Sequence, residues 1–334
     1  MRIALDAMGG DSAPVPEVEG AIQAVSSMNG HEIVLVGDEA KIASAASRLG
    51  GLPPSMAVRH ASEVITMHDA PVEAIRRKRD ASVVRCIEMV ASREADAVVS
   101  AGNTGAVVAL ATLKLGMLEG VRRPGIAVGL PTRTGGLALV IDCGANVNCS
   151  PEDLLHYGVM ASAYCRHVFG KRSPRVGLLN IGEEAIKGNR LVKHAQELLS
   201  ASELNFIGSV EGRGIFAGGA DVVVCEGFVG NVLLKASEGM AECIMSMMKE
   251  AIQRTLRRRI GAMLCKYAMK EIATKMDYSE FGGAPLLGVN GTVTICHGGS
   301  DSRAIAVALR VAADAAAHRV NQHIVAGLRP RHAS

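Results

Sequence analysis

The chain has 334 residues, 49% of them hydrophobic, and carries 36 Lys and Arg against 33 Asp and Glu. That apolar content can bury a large core, while a net charge of +3 leaves no electrostatic footprint for nucleic acid. With aromatics at 3% and no Trp, stacking platforms for single strands are excluded as well.

In chain order, short Val/Ile/Leu-rich runs alternate with longer helical patterns. MRIALDAMGGD predicts a strand over Ile3–Leu5; the apolar run is too short for a signal peptide, and Asp6 follows at once. A helix is expected over Glu17–Met28, a strand over Ile33–Val36 and helices over Ala40–Leu49 and Val83–Arg93. Strand Ala97–Val99, helix Thr104–Leu115 and strands Ile126–Val128 and Leu137–Ile141 come next. Helix Asp153–Phe169, strand Val176–Leu179, helix Leu191–Ser200 and strand Val222–Val224 follow. Strand Thr292–Ile295 and helix Ser302–His323 close the series. Buried strands alternating with helices predict an α/β fold, a largely parallel sheet flanked by helices. One α/β domain is expected over 1–330, with 331–334 as a tail within the frayed segment LRPRHAS. No stretch of about 20 uncharged apolar residues occurs, so no membrane span is expected. Eight cysteines without a CxxC pair or CxxH cluster point to reduced thiols and a cytoplasmic protein.

A separate pattern fills Ile252–Met276. Ile252, Leu256, Ile260, Met263, Leu264, Tyr267 and Ile272 recur at three- and four-residue steps and make one apolar face. Arg254, Arg257, Arg258, Arg259, Lys266, Lys270 and Lys275 supply charge, and Gly261 is the expected break between two helices. Such a basic amphipathic pair suits an anionic membrane surface, with Leu256, Ile260, Met263 and Leu264 in contact. It suits equally a helix packed on the core or on another subunit.

Glycine-rich segments follow the strands, where ligands of α/β sheets sit. They are SAGNTGA (Ser100–Ala106), DCGANVNCSPEDL (Asp142–Leu154), NIGEEAIKGN (Asn180–Asn189), CEGFVGNVLLK (Cys225–Lys235) and HGGSDSRAI (His297–Ile305). The third is the most informative, because Lys187 and Gly188 stand where a helix should begin, a setting that favours an anion. It is no nucleotide P-loop: Gly177 and Gly182 have the spacing, but Glu183-Glu184 follow and would repel a triphosphate. Lys187 would bind phosphate or steady an oxyanion, against the plain alternative of a solvated lysine. Asn231, following Gly230 and opening a helix, would donate to an oxyanion or simply cap. Asn103 and Thr104 would bind an anion with the following helix amides or simply cap, and Asp142, Asn146 and Asn148 would line the same crevice. His297 is an acid-base candidate. Cys143 and Cys225 are candidate nucleophiles, though each adjoins an apolar strand and reads better as an inert thiol. GRGIFAGG (Gly212–Gly219) misses the dinucleotide fingerprint by one step, with no clear strand–helix unit around it. No His/Asp/Glu cluster has metal spacing. Neither a cofactor nor a metal is expected.

Taken in order, LDAMGGDSAP (Leu5–Pro14), SAGNTGA, DCGANVNCSPEDL, NIGEEAIKGN, CEGFVGNVLLK, GGAPLLGVNG (Gly282–Gly291) and HGGS (His297–Ser300) resemble the bacterial phosphate acyltransferases of phospholipid synthesis. The resemblance covers nearly the whole chain. It departs at Asn148 and Glu226, where an Asp is common. It implies a fold similar to the phosphotransacetylases and isocitrate-dehydrogenase-like enzymes, and a homodimer. It also implies transfer of a long-chain acyl group from acyl carrier protein (ACP) to inorganic phosphate. The acyl phosphate would pass to a glycerol-3-phosphate acyltransferase at the inner face of the plasma membrane, where the enzyme associates peripherally. The family's active-site residues fall on Lys187 and Asn231. An Arg/Lys patch at Arg76–Arg79 or on the helical pair would receive the acidic carrier. The rival readings are a short-chain phosphotransacylase using acyl-CoA, a non-catalytic acyl-ACP or phospholipid sensor, and a metal-dependent decarboxylating dehydrogenase, whose nicotinamide and acidic metal sites the sequence does not display.

Overall fold

The computed structural model describes residues 1–28, 30–184, 186–276 and 283–329. The expected tail 331–334, Pro330 and Gly282 lie outside these residues, as do the side chains of Ile272 and Lys275. Eleven strands form one sheet in the order β3-β2-β1-β4-β11-β10-β5-β6-β9-β7-β8. Their ranges are β1 Arg2–Asp6, β2 Glu32–Gly37, β3 Met56–His60, β4 Ala97–Ser100, β5 Gly125–Pro131 and β6 Leu137–Ile141. The rest are β7 Val176–Leu179, β8 Phe206–Val210, β9 Val222–Val224, β10 Ala284–Leu287 and β11 Thr292–Ile295.

The sheet is parallel in two blocks, β3-β2-β1-β4-β11 and β6-β9-β7-β8. Between them β10 and β5 pair antiparallel with each other and with their outer neighbours. Sequence reasoning missed β3, β8 and β10. The first two are edge strands with partly exposed residues, and β10 is short and carries Pro285.

The helices are α1 Val15–Val25, α2 Glu39–Ser47, α3 Pro71–Arg77, α4 Ser82–Ala91, α5 Thr104–Lys114, α6 Pro151–His167 and α7 Arg190–Ser200. They continue with α8 Gly212–Ala217, α9 Gly227–Gln253, α10 Leu256–Leu264, α11 Lys266–Met276, α12 Ser302–Ala317 and α13 Val320–Leu328. Three expectations need correction. The helix expected over Ser302–His323 breaks at Arg319, which takes a left-handed φ of 50°. Gly261 lies inside α10, and the run breaks at Arg254–Thr255 and at Cys265 instead. GRGIFAGG does sit in a strand–helix unit, β8 to α8, at the sheet edge.

Alternating side chains divide the core between the two faces of the sheet. Ile3, Leu5, Ile33 and Leu35 pack on one face against α1, α2 and α12. Leu139, Ile141, Val176 and Val222 pack against α6, α7 and α13. The opposite face buries Ala4, Val34, Val98, Ile126, Val140 and Val223 in one continuous cluster. Helices α4 and α5 cover this cluster on one side, and α8 covers it on the other. Over the antiparallel centre the cover is incomplete, and the gap between α5 and α9 is a cavity.

One buried carboxyl stands out in the first turn of α1. Glu17 is 1% exposed; its Oε1 accepts the Gly10 amide at 3.2 Å, while Oε2 has no partner among the described residues. Burial, reinforced by the charges of Asp6 and Asp11, raises its pKa from 4.5 to about 7. The fold therefore favours the protonated acid. Its contribution to stability is complete below pH 4.5 and lost as pH rises to about 7. A shift of this size corresponds to about 3 kcal/mol. Glu17→Gln cannot ionise, so in urea titrations it should gain stability over the wild type across that window and keep the gain above it. Parallel pH profiles for the two proteins would refute this.

Candidate active site

The site begins at the end of β6. Asp142 is fully buried there, and its carboxylate accepts four backbone amides: Ile126 at 3.0 Å, Gly144 at 3.1 Å, Ala145 at 2.9 Å and Asn146 at 2.8 Å. Burial raises the Asp142 pKa, and these donors pull against it by favouring the charged form. The result is a tight loop after β6, pinned to the start of β5.

Helix α9 rests directly on that loop. The Gly227 amide donates to the Asn146 carbonyl at 3.0 Å, and Glu226 caps the helix by accepting the amides of Phe228 and Val229. A Cβ at Gly227 would collide with Asn146 O and the Asp142 carboxylate, and one at Gly230 with the Asp142 carbonyl. Only glycine lets the helix come this close. Asn231 therefore stands in the second turn of α9 rather than opening it. Its side chain lies over Gly144, about where a Cβ on that glycine would be in ordinary contact.

Asn231 forms part of the wall of a cavity of about 360 Å³. Its floor is Ile126, Val128, Ala284 and Ile295 from the central strands. Leu234, Lys235 and Glu238 continue the α9 wall, and Thr104 and Gly105 from the first turn of α5 supply another. His297 and Ser300 complete the lining after β11. His297 Nδ1 accepts the Gly299 amide at 3.1 Å, so in the neutral ring Nε2 carries the proton and can donate.

The thiols around the cavity are poor nucleophiles. Cys143 donates to the Val140 carbonyl and Cys225 to the Asp142 carbonyl. Burial pushes the pKa of both well up, and that of Cys296 to about 12. Among the described residues no three His, Cys, Asp or Glu side chains gather as a metal site.

Four of the five glycine-rich segments meet here, and the fifth does not. Lys187 lies on the loop after β7, outside the lining, and pairs with Glu184 at 2.8 Å with both side chains exposed. Glu184 raises the Lys187 pKa. Gly188 is held beside Asn180, which donates to the Lys187 carbonyl at 3.2 Å. Asn103 is used by the scaffold: it caps α5 through Ala106 N, and its amide donates to the carbonyls of Thr66 and Asp69 at 3.2 Å. Asn146 donates to the Pro124 carbonyl at 2.5 Å and the Tyr157 hydroxyl at 2.9 Å. Asn148 is exposed beyond the lining. Sequence reasoning overlooked Lys235 and Glu238, whose signal was helical spacing from Asn231, and Ser300.

Beyond its first turns α9 leaves the body of the protein. Its buried residues are Gly227 and Gly230, α10 has none, and α10 packs on α9. Leu256 is 73% and Leu264 82% exposed, with Ile260 and Met263 exposed beside them. No helix among the described residues is long and apolar enough to cross a membrane.

A protein-family profile described as fatty acid synthesis protein matches residues 1–323. The phosphate acyltransferase of Syntrophotalea carbinolica is 46% identical over 326 residues, covering 98% of this chain and 93% of its own. The phosphate acyltransferase of Desulfitobacterium hafniense is 49% identical over 313 residues, covering 93% of both chains. In three dimensions a phosphotransacetylase from Streptococcus pyogenes superposes with a TM-score of 0.61 at 17% identity, over 95% of this chain and 94% of its own. That last likeness concerns the fold.

Asp142→Asn would turn an N–H₂ group toward backbone amides in place of an acceptor. It should lower the unfolding free energy by about 3 kcal/mol, the scale for a broken buried charged network. Chemical denaturation measures this directly, and a change within error would show that the loop is held by other contacts.

Proposed function

The chain belongs to the fatty acid synthesis protein family, and on that premise we propose that it moves a long-chain acyl group from acyl-ACP to inorganic phosphate. The supporting observation is the cavity itself. An apolar floor adjoins the Asn231 amide, the first turn of α5 and the His297 donor, and burial raises the pKa of the lining thiols Cys143 and Cys296.

Phosphate is largely ionised near neutral pH, so its oxygen can attack the thioester carbon without a strong base. A C–O bond forms, the carbonyl becomes an oxyanion, and Asn231 donates to it. Collapse breaks the C–S bond, and the proton carried by hydrogen phosphate ends on the departing sulfur. The products are acyl phosphate and the free carrier thiol. Orientation and fixed donors do most of the work. No cofactor enters.

The remaining assignments follow the surfaces. Pro71 of α3 abuts Gly105 at the cavity edge, and the exposed Arg76, Arg77 and Arg79, at and just past the other end of that helix, suit an acidic carrier. Lys187, exposed next to Ile186 on the loop after β7, meets the incoming donor. Thr104 and the α5 start hold the phosphate, while Asn103 and Asn146 shape the loops around them and Gly188 shapes the Lys187 loop. The apolar sides of α9 and α10 serve a homodimer and a membrane surface, where a glycerol-3-phosphate acyltransferase takes up the product.

Purified protein should release carrier thiol from long-chain acyl-ACP only when phosphate is present, and hydroxylamine should trap an acyl phosphate. Asn231→Ala should lower kcat by about 10²-fold. Release from acyl-CoA alone would reassign the donor, and an acyl-cysteine intermediate would replace direct attack by a covalent route.

Leu256→Asp with Ile260→Asp should abolish sedimentation with anionic liposomes while leaving turnover in solution intact. Unchanged sedimentation would remove the membrane assignment.

A further inference from the structure

We infer that Lys235 is the phosphate ligand of the cavity, a proposal that rests on the acyl-transfer reading above. Among the described residues Lys235 is the one Lys or Arg in the lining. Asn231, Leu234, Lys235 and Glu238 all line the cavity, at steps of three and four that put them on one face of α9. The lysine thus stands one turn beyond the oxyanion donor, on the same wall.

Its environment suits an anion that comes and goes. Lys235 Nζ donates to Glu238 Oε2 at 2.8 Å, and the Glu238 side chain is 13% exposed while the lysine remains half exposed. An ammonium has three N–H donors, so two remain after this pair forms. The carboxylate holds the lysine against the cavity without saturating it.

The α5 start provides the complementary half. Asn103 takes up the Ala106 amide, but the Thr104 and Gly105 amides precede the first intrahelical bond and also line the cavity. Phosphate between this helix start and Lys235 would meet positive potential from two elements, with Asn231 beside the thioester carbon. Lys187 offers no equivalent. It is off the lining, and its partner Glu184 is itself exposed.

The test is steady-state kinetics with acyl-ACP at varied phosphate, alongside calorimetry of phosphate binding to the donor-free protein. Lys235→Met should raise the phosphate KM at least about tenfold, the scale of one charged hydrogen bond, and leave the donor KM within about twofold. Lys235→Arg should recover part of the loss. Lys187→Met should leave the phosphate KM unchanged while weakening use of the donor. An unchanged phosphate KM in Lys235→Met overturns the assignment, as does a larger phosphate effect in Lys187→Met. Calorimetry separates the two readings. If wild type binds phosphate, Lys235→Met does not, and no acyl transfer occurs, the ligand assignment stands and the reaction falls. If wild type binds no phosphate, or Lys235→Met binds it equally, the ligand assignment falls.

Discussion

Four backbone amides converge on the buried carboxylate of Asp142, and they come from segments on two strands, the start of β5 and the turn leaving β6. A buried carboxylate costs free energy unless such donors surround it, so the loop has one arrangement that works. That arrangement presents the Asp142 carbonyl as a platform for α9. Because Gly227 and Gly230 lack side chains, the helix settles on the platform, and Asn231 is delivered over Gly144 with no freedom left in its backbone. The position of the oxyanion donor is thus set by a chain of contacts that starts from one charge.

The other parallel block repeats the device. Asp6 is buried at the end of β1, accepts Met8 N at 3.2 Å, and takes the Ser100 hydroxyl from β4 at 2.7 Å. Ser100 in turn accepts Gly102 N, and Gly9 packs so closely on Asp6 and Gly102 that a Cβ would not fit. This aligns the strand end that launches α5. Each block fixes its loop with a buried aspartate, and the cavity lies where the two sets of loops face the antiparallel centre.

Much of this was legible in the residues. Runs such as Leu137–Ile141 and Val222–Val224 are buried on both faces and read as strands without context. MAVRH and FIGSV alternate weakly because edge strands meet water, and APLL contains a proline that a central strand rarely tolerates. The glycine-rich segments marked the strand ends correctly. Which of them meet depends on strand order, and order is a long-range property. In the sheet, β9 stands between β6 and β7, so the Lys187 loop is displaced from the Asp142 loop although both follow strands of the same block. Lys235 is hard to read from sequence because it stands one helical turn past the strand-end loop, on the wall of α9.

Helix α9 also has a mechanical consequence. It is 27 residues long, which at 1.5 Å per residue gives a rod of about 40 Å. The rod is clamped at its glycine end and free of the body at its far end. It behaves as a lever whose fulcrum is Gly227–Gly230. Asn231 lies only about 6 Å from the start of the rod, so a displacement at the tip reaches it reduced roughly sixfold or more. Jostling of the outer helices by a lipid surface or a second subunit would leave the oxyanion donor nearly still. The same rod that reaches outward is therefore a vibration damper for the chemistry at its base.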